Sequence, residues 1–194
     1  ESPEWLKNRL LTVGITPINN VVDITNYVML EFGHPLHAFD YDLLKGHQIK
    51  IRKATQNEEV EALDHKKYIL GENDLVIADE FDTVAIAGVI GSQHSAITEK
   101  TVNIVLEAAN FHYLSVRNTA HKLKITTDSA YRFERNLSDE TAAIVSDRAT
   151  SLILEICGGE IDRVIESFPK PFNPNIVKLR TSRTNQILTT KLKA

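Results

Sequence analysis

Apolar residues recur every three or four positions in two segments near the start of the chain. This spacing predicts a short first helix that has Pro3 in its first turn, is capped by Ser2 and ends near Gly14. A second helix is predicted after the turn ITPINN. Gly33 ends that helix, and Pro35 prevents its continuation.

The pattern changes after Gln48 to short runs rich in β-branched and apolar residues. The predicted strands are QIKIRKA, EEVEAL, KKYIL, DLVIAD, TVAIAGVI and VNIVLEAA. Two further helices are predicted, over FHYLSVRNTAHKLK and from Asp139 to Cys157, and a last strand, IDRVIESF, is predicted to return to the sheet. Because most strands are consecutive, we expect an α+β fold with a mostly antiparallel or mixed strand-rich core flanked by helices.

The distribution of charge along the chain predicts a domain boundary. The net charge is −4, yet residues 170–194 contain six Lys and Arg residues and no acidic residue. The change falls at the Pro- and Asn-rich segment FPKPFNPN. We therefore predict one domain over residues 1–168, followed over residues 169–194 by a linker and the truncated start of another domain. The sequence has no signal-peptide pattern and no apolar run of ~20 residues. We therefore expect an excised intracellular fragment without a membrane segment.

The predicted loop after the second helix carries His34 and His37 on either side of Pro35. The proline prevents the two histidines from sharing a helical face, and no cluster of Cys or carboxylate residues supplies a third and fourth ligand. A site without metal is therefore expected, and a metallohydrolase would depend on these two histidines alone. Cys157 lies in an apolar helical pattern, which predicts a core side chain rather than a nucleophile.

Glu107 lies in the apolar run NIVLEAANF, where strand alternation places it on the same face as Val105 and Ala109. A carboxylate among apolar residues needs a partner. Two interpretations remain open. Glu107 forms an ion pair with Arg132 or Arg135, or it is the polar anchor of an otherwise hydrophobic ligand site.

Two other segments carry candidate chemistry. GVIGS, residues 88–92, lacks the lysine of a phosphate-binding loop, so its glycines predict a close approach of the backbone to a neighbour. In TTDSAYRFERNLS, Thr127 or Asp128 is predicted to cap a helix. The region also holds a modest basic patch: Arg117, Lys122, Lys124, Arg132 and Arg135. Since the chain is acidic overall, this patch is not expected to hold nucleic acid by itself.

Several motifs together resemble one family. They are SPEWLKNRL, GITPINNVVDITNYVMLEFGHPLHAFD, AIAGVIGS, VLEAANF and TTDSAYRFER, in this order across residues 2–168. The chain resembles the paired B3 and B4 domains of the β subunit of bacterial phenylalanyl-tRNA synthetases. The basic tail resembles the opening of the next domain. The resemblance implies an editing domain that hydrolyses the ester of tyrosine wrongly attached to phenylalanine tRNA.

The resemblance also implies roles for individual residues. Glu107 would accept the phenol of tyrosine, and His37 would lie beside the ester, orienting the attacking water or holding the terminal ribose. The implied catalytic residues are His37, Glu107, Asn26 and Thr127. The implied substrate-binding residues are Thr25, Pro35, Ala38, Gly88, Gly91 and Ser129. In two places the chain departs from the family, with Ser129 in place of a pocket alanine and Thr16 in place of an arginine.

For the whole enzyme, the resemblance implies a cytoplasmic assembly of two α and two β subunits that binds tRNA(Phe). The domain itself would need no cofactor, whereas ATP and magnesium are implied for the intact enzyme. Editing has a physical purpose, because a pocket for a phenyl ring cannot strongly reject a ring that merely adds a hydroxyl. The alternative is a non-catalytic module that docks tRNA or the α subunit and in which the arginines are the sensitive positions.

Overall fold

The computed structural model describes residues 1–168 and 176–193. The chain separates into two compact units, Glu1–Asp162 and Arg163–Ala194. The predicted linker segment at residues 169–175 lies outside the described residues. The first unit contains helices α1 (Glu4–Thr12), α2 (Asn20–Phe32), α3 (Tyr113–Leu123), α4 (Asp128–Phe133) and α5 (Thr141–Cys157), and the second contains α6 (Thr181–Leu188). No helix in the described residues has the length and apolar character needed to span a membrane.

All the described strands lie in the first unit and pair in an antiparallel manner. They are β1 (His37–Asp40), β2 (Lys50–Lys53), β3 (Glu59–Glu61), β4 (Lys67–Ile69), β5 (Leu75–Ala78), β6 (Thr83–Ile86), β7 (Ile90–Gly91) and β8 (Ile104–Glu107). Strands β2, β5, β6 and β7 form a four-stranded sheet in that order, β3 and β4 form a hairpin, and β1 pairs with β8. The predicted α+β fold with a mostly antiparallel strand-rich core is confirmed.

Local capping explains where α2 begins and ends. The side chain of Asn19 accepts a hydrogen bond from the Val22 amide, and Gly33 ends the helix with a φ of 74°. The predicted second helix is therefore confirmed. The predicted cap of α1 is wrong, because the Ser2 hydroxyl instead donates to Asp23 Oδ2 at 2.5 Å. This buried bond joins the start of α1 to α2.

Two clusters of buried side chains stabilise the first unit. The helical cluster consists of Leu6, Leu10, Ile24, Val28, Val145, Ala149 and Leu152. The sheet cluster is larger and includes Phe39, Leu70, Val76, Ile86, Phe111 and Phe133. The β1–β8 ribbon separates them, since Leu106 packs against the helical cluster and Val105 against the sheet cluster. The predicted alternation of β8 is confirmed, and it directs Glu107 toward the sheet cluster.

Three local predictions are wrong. His37 begins strand β1 rather than lying on a loop, because β8 supplies a partner that is about 70 residues away in sequence. Cys157 is exposed as the last residue of α5 rather than packed in the core. The segment IDRVIESF forms no strand, and its side chains are exposed. An apolar pattern alone does not make a strand when, within the described residues, no strand pairs with it.

Candidate functional site

His37 and Glu107 lie directly opposite each other in the antiparallel register of β1 and β8. Residues in such positions project from the same face of a ribbon, with Cβ atoms roughly 4.5–5.5 Å apart. His37 is the first residue of β1 and Glu107 the last residue of β8. The ribbon therefore presents one imidazole and one carboxyl side by side at one end.

Both side chains line a cavity of about 80 Å³. On this measure roughly 10–15 Å³ holds one water molecule, so the cavity has room for a small group. Six of the ten predicted site residues line it: Pro35, His37, Gly88, Gly91, Glu107 and Ser129. The rest of the lining is apolar and consists of Leu36, Ile77, Ala85, Ile86, Val89, Ile90, Phe111 and Phe133. The result is a hydrophobic pocket with few polar groups.

Glu107 has no charged partner in the described part of the chain. Arg132 pairs with Asp128 at 2.6 Å and Arg135 with Glu134 at 2.5 Å, so of the two open interpretations the ion pair of Glu107 with either arginine is wrong. Burial removes water from the carboxyl and raises the pKa of Glu107 from 4.5 to about 7. At neutral pH a large fraction of this carboxyl is protonated, and a donor supplied by a ligand would favour the charged form.

His37 is held by packing rather than by hydrogen bonds. Its ring meets Phe39 edge to face with centroids 4.6 Å apart. Its Nε2 atom is buried and has no hydrogen-bond partner in the described residues. Burial lowers the pKa of His37 from 6.5 to about 4, so the imidazole is neutral at pH 7. Such an atom is available to a bound water or ligand group.

Two glycines allow the close approaches predicted for GVIGS. A Cβ atom on Gly91 would lie 2.6 Å from His37 Cε1 and 2.7 Å from His37 Nε2. A Cβ atom on Gly88 would lie 2.8 Å from Phe111 Cδ2, and the φ of +69° at Gly88 also disfavours other residues. Gly91 thus gives His37 its position, and Gly88 lets Phe111 reach the cavity wall.

The other four predicted site residues do not line the cavity. Thr25 is buried in α2 and donates to the Val22 carbonyl, and Asn26 is half-buried on the same helix. Ala38 is buried in β1 opposite Leu106. The hydroxyl of Thr127 caps α4 as predicted and donates to the Val89 carbonyl at 2.7 Å. Thr127 therefore supports the cavity wall at Val89 from behind.

Several residues near the cavity were not predicted. Phe111 ends the motif VLEAANF and Phe133 lies within TTDSAYRFER, so their aromatic character was an available signal. No sequence signal placed Leu63 near the cavity, because Leu63 lies in the turn of the β3–β4 hairpin. Its amide donates to the Gly91 carbonyl at 3.0 Å, and its Cδ1 lies 3.0 Å from the point that a Gly91 Cβ would occupy. Leu63 thus borders the His37 end of the cavity.

The histidine pair does not form a metal site. His34 is buried, and its Nε2 lies 2.9 Å from the Ala109 carbonyl oxygen. Within residues 1–168 and 176–193, no three His, Cys, Asp or Glu side chains form a group that could hold a metal ion. The geometry therefore gives no support to a metallohydrolase.

A larger polar groove of about 570 Å³ lies on another part of the first unit and contains none of the predicted site residues. It includes Lys122 from the basic patch, but this ammonium is bonded to Asp74 at 2.6 Å, and Thr119 also donates to Asp74. Arg132 and Arg135 are also paired to carboxylates, so three of the five cations of the basic patch are neutralised.

The structure defines an α+β domain with a small, largely apolar cavity. A sequence profile of the B3/4 domain family matches residues 1–158, and the chain belongs to this family. The chain is 47% identical over 192 residues to the phenylalanine–tRNA ligase beta subunit of Protochlamydia amoebophila, covering 98% of the chain and 24% of that protein. It is 44% identical over 189 residues to the beta subunit of Porphyromonas gingivalis, covering 97% and 23%.

A third beta subunit, from Dehalococcoides mccartyi, is 47% identical over 189 residues, which covers 97% of the chain and 23% of that protein. The predicted family membership is confirmed. The chain spans about a quarter of the length of these relatives.

Proposed function

We propose that this domain hydrolyses the ester bond of tyrosyl-tRNA(Phe), releasing tyrosine from a mischarged tRNA. The observation that carries the proposal is Glu107, a carboxyl without a partner in the described residues, which lines an otherwise apolar cavity opposite His37. The similarity to phenylalanine–tRNA ligase beta subunits supports this choice of substrate.

Glu107 gives the cavity a means to distinguish tyrosine from phenylalanine. The apolar walls, including Phe111 and Phe133, suit either aromatic ring. Only tyrosine brings a hydroxyl that can donate to Glu107, whereas phenylalanine would leave the carboxyl desolvated and unbonded. Because a hydrogen bond to a charged group contributes about 1.5–3 kcal/mol, the contact corresponds to roughly a 10- to 100-fold preference.

His37 suits the ester end of the substrate. With its pKa lowered to about 4, the imidazole is too weak a base to remove a proton efficiently at neutral pH. Its unpartnered Nε2 can still form a hydrogen bond. We therefore assign His37 to orienting the attacking water or binding the terminal ribose, while water adds to the ester carbonyl and the ribose oxygen leaves.

The same proposal places the domain in a larger enzyme. We infer that this chain is part of the β subunit of a cytoplasmic phenylalanine–tRNA ligase. The partner of this subunit is the α subunit, and the assembly contains two copies of each. The hydrolytic step draws only on side chains of this domain and water, whereas ATP and magnesium serve aminoacylation elsewhere in the enzyme. Asn26 and Thr127 remain predicted catalytic residues, and the polar groups of Thr127 are already engaged in structural bonds.

The test is the deacylation rate of tyrosyl-tRNA and phenylalanyl-tRNA by the intact ligase, compared with its Glu107→Gln variant. We expect the intact enzyme to release tyrosine much faster than phenylalanine. The variant retains the shape of the side chain but loses the charge, so tyrosine release should fall about 10- to 100-fold. Aminoacylation should be unchanged.

A matched variant, Glu134→Gln, removes a carboxylate that already has Arg135 as a partner outside the cavity. It should leave tyrosine release close to that of the unmodified enzyme. If the intact ligase releases no tyrosine above the spontaneous rate but binds tRNA, the non-catalytic docking module is the better account.

A further inference from the structure

His34 is a buried histidine that the proposed reaction does not use. Its side chain is 1% exposed, and it follows Gly33, the residue that ends α2. The ring packs edge to face against Phe133, which lines the cavity, with centroids 5.6 Å apart. His34 therefore lies directly behind the wall of the site.

One nitrogen of His34 has a defined partner. Nε2 lies 2.9 Å from the carbonyl oxygen of Ala109, and because a carbonyl oxygen can only accept, Nε2 carries the proton and donates. The other nitrogen, Nδ1, is buried without a hydrogen-bond partner in the described part of the chain. A buried acceptor left without a donor is unfavourable. An apolar side chain at this position would avoid the cost of the unpaired Nδ1. The favourable contribution that the imidazole makes here is therefore its hydrogen bond to Ala109.

The bond joins the two chain segments just beyond the end of the ribbon. The last paired residues are His37 and Glu107, three residues after His34 and two residues before Ala109. The ladder cannot continue through Pro35, because proline has no amide hydrogen to donate. The side chain of His34 thus supplies a cross-link where the backbone cannot.

We propose that His34 is a positioning residue that fixes the separation of His37 and Glu107 through its hydrogen bond to the Ala109 carbonyl. This inference rests on the proposed hydrolysis of tyrosyl-tRNA. The two groups must engage opposite ends of one substrate, the ester and the phenol. A displacement of about 1 Å between such groups can reduce turnover about 100-fold. His34 acts through the backbone of both segments and does not contact the substrate.

The test uses a matched pair of variants in the intact ligase, His34→Gln and His34→Asn. Both introduce the same amide group. The glutamine nitrogen can reach the position of the imidazole Nε2 and donate to Ala109. The asparagine side chain is one methylene shorter, so its nitrogen cannot reach that position. We expect His34→Asn to lower the kcat of tyrosyl-tRNA deacylation by 10- to 100-fold with a KM changed less than threefold, and His34→Gln to restore most of the kcat.

Leu6→Ala in the helical cluster controls for loss of stability alone, since Leu6 is buried and does not line the cavity. Its kcat should stay near that of the unmodified enzyme. The positioning role is overturned if His34→Asn retains full kcat, if it loses no more than Leu6→Ala, or if only KM changes. Should the unmodified ligase release no tyrosine, the proposed function itself fails. If the unmodified ligase releases tyrosine and the His34 variants have the same kcat, only the positioning role is refuted.

Discussion

His37 and Glu107 face each other across the final pair of the β1–β8 ribbon, yet neither side chain bonds to the other or to any other described residue. The imidazole is turned against Phe39 and Gly91, and burial makes protonation of His37 and ionisation of Glu107 both unfavourable. A pair without internal hydrogen bonds remains available to a ligand that supplies a donor and an acceptor.

The position of His37 depends on the absence of a side chain at residue 91. Gly91→Ala would place a methyl group 2.6 Å from His37 Cε1, so the ring must move. Overpacking of this kind costs typically 1–3 kcal/mol, and displacement of His37 should lower tyrosyl-tRNA deacylation 10- to 100-fold. Chemical denaturation and single-turnover deacylation measure the two effects.

Gly71→Ala is the matched control for this substitution. Neither Gly71 nor Gly91 has a positive φ, and the nearest atom to a Cβ on Gly71 is the Nζ of Lys122 at 3.1 Å, at the end of a flexible side chain. Stability and deacylation should change little. Equal effects of the two alanine substitutions would show that the contact with His37 has no special importance.

Glu107 should make the free energy of unfolding depend on pH. Its pKa is about 7 in the folded chain against an ordinary 4.5, so the folded state binds more protons between these values. Stability contributed by the neutral carboxyl is therefore present below pH 4.5 and lost as pH rises through 7. Glu107→Gln should match the unmodified chain at pH 4.5 and exceed its stability above pH 7 by up to ~3 kcal/mol.

Urea denaturation from pH 4.5 to pH 8 checks this expectation. His37 contributes the opposite slope, because its lowered pKa of about 4 makes stability fall as pH drops below 6.5. The difference between Glu107→Gln and the unmodified chain removes this contribution, since His37 is present in both. A difference that does not vary with pH would contradict the burial of the Glu107 carboxyl.

The face occupied by Glu107 could be predicted because strand alternation is a local property. Val105 and Glu107 share a face whatever the partner strand is, and the apolar run around them indicates burial on both sides. The end of α2 was equally predictable, since Gly33 adopts the left-handed conformation that ends helices. These features depend only on neighbours in sequence.

Pairing between distant segments was not predictable in the same way. Nothing in HPLHAFD indicates that these residues pair with IVLE about 70 residues later, so His37 was expected on a loop. That neither Arg132 nor Arg135 pairs with Glu107 also depends on how these distant segments pack. The family resemblance implied roles for both His37 and Glu107, but their cross-strand pairing could not be predicted from either segment alone.

Ser129 should affect discrimination as well as stability. Its hydroxyl donates to the Gly88 carbonyl at 3.2 Å and leaves oxygen lone pairs beside the cavity. Ser129→Ala should lower the free energy of unfolding by about 1 kcal/mol through loss of this bond. It should also raise phenylalanyl-tRNA deacylation a few-fold, because the wall becomes more apolar. Thermal unfolding and the ratio of the two deacylation rates test both effects, and an unchanged ratio would remove Ser129 from the specificity determinants.

The rate of tyrosine release should increase with pH as Glu107 ionises. Only the carboxylate is a full acceptor for the phenol hydrogen, and its pKa of about 7 in the unliganded chain should appear in the pH profile of kcat/KM. After subtraction of spontaneous hydrolysis, kcat/KM for tyrosyl-tRNA should rise about tenfold for each pH unit below 7 and level off above it. Phenylalanyl-tRNA lacks the phenol and should not show this rise, nor should Glu107→Gln with tyrosyl-tRNA. A profile for the unmodified ligase that is flat between pH 5.5 and pH 8 would mean that the carboxylate of Glu107 does not select the substrate.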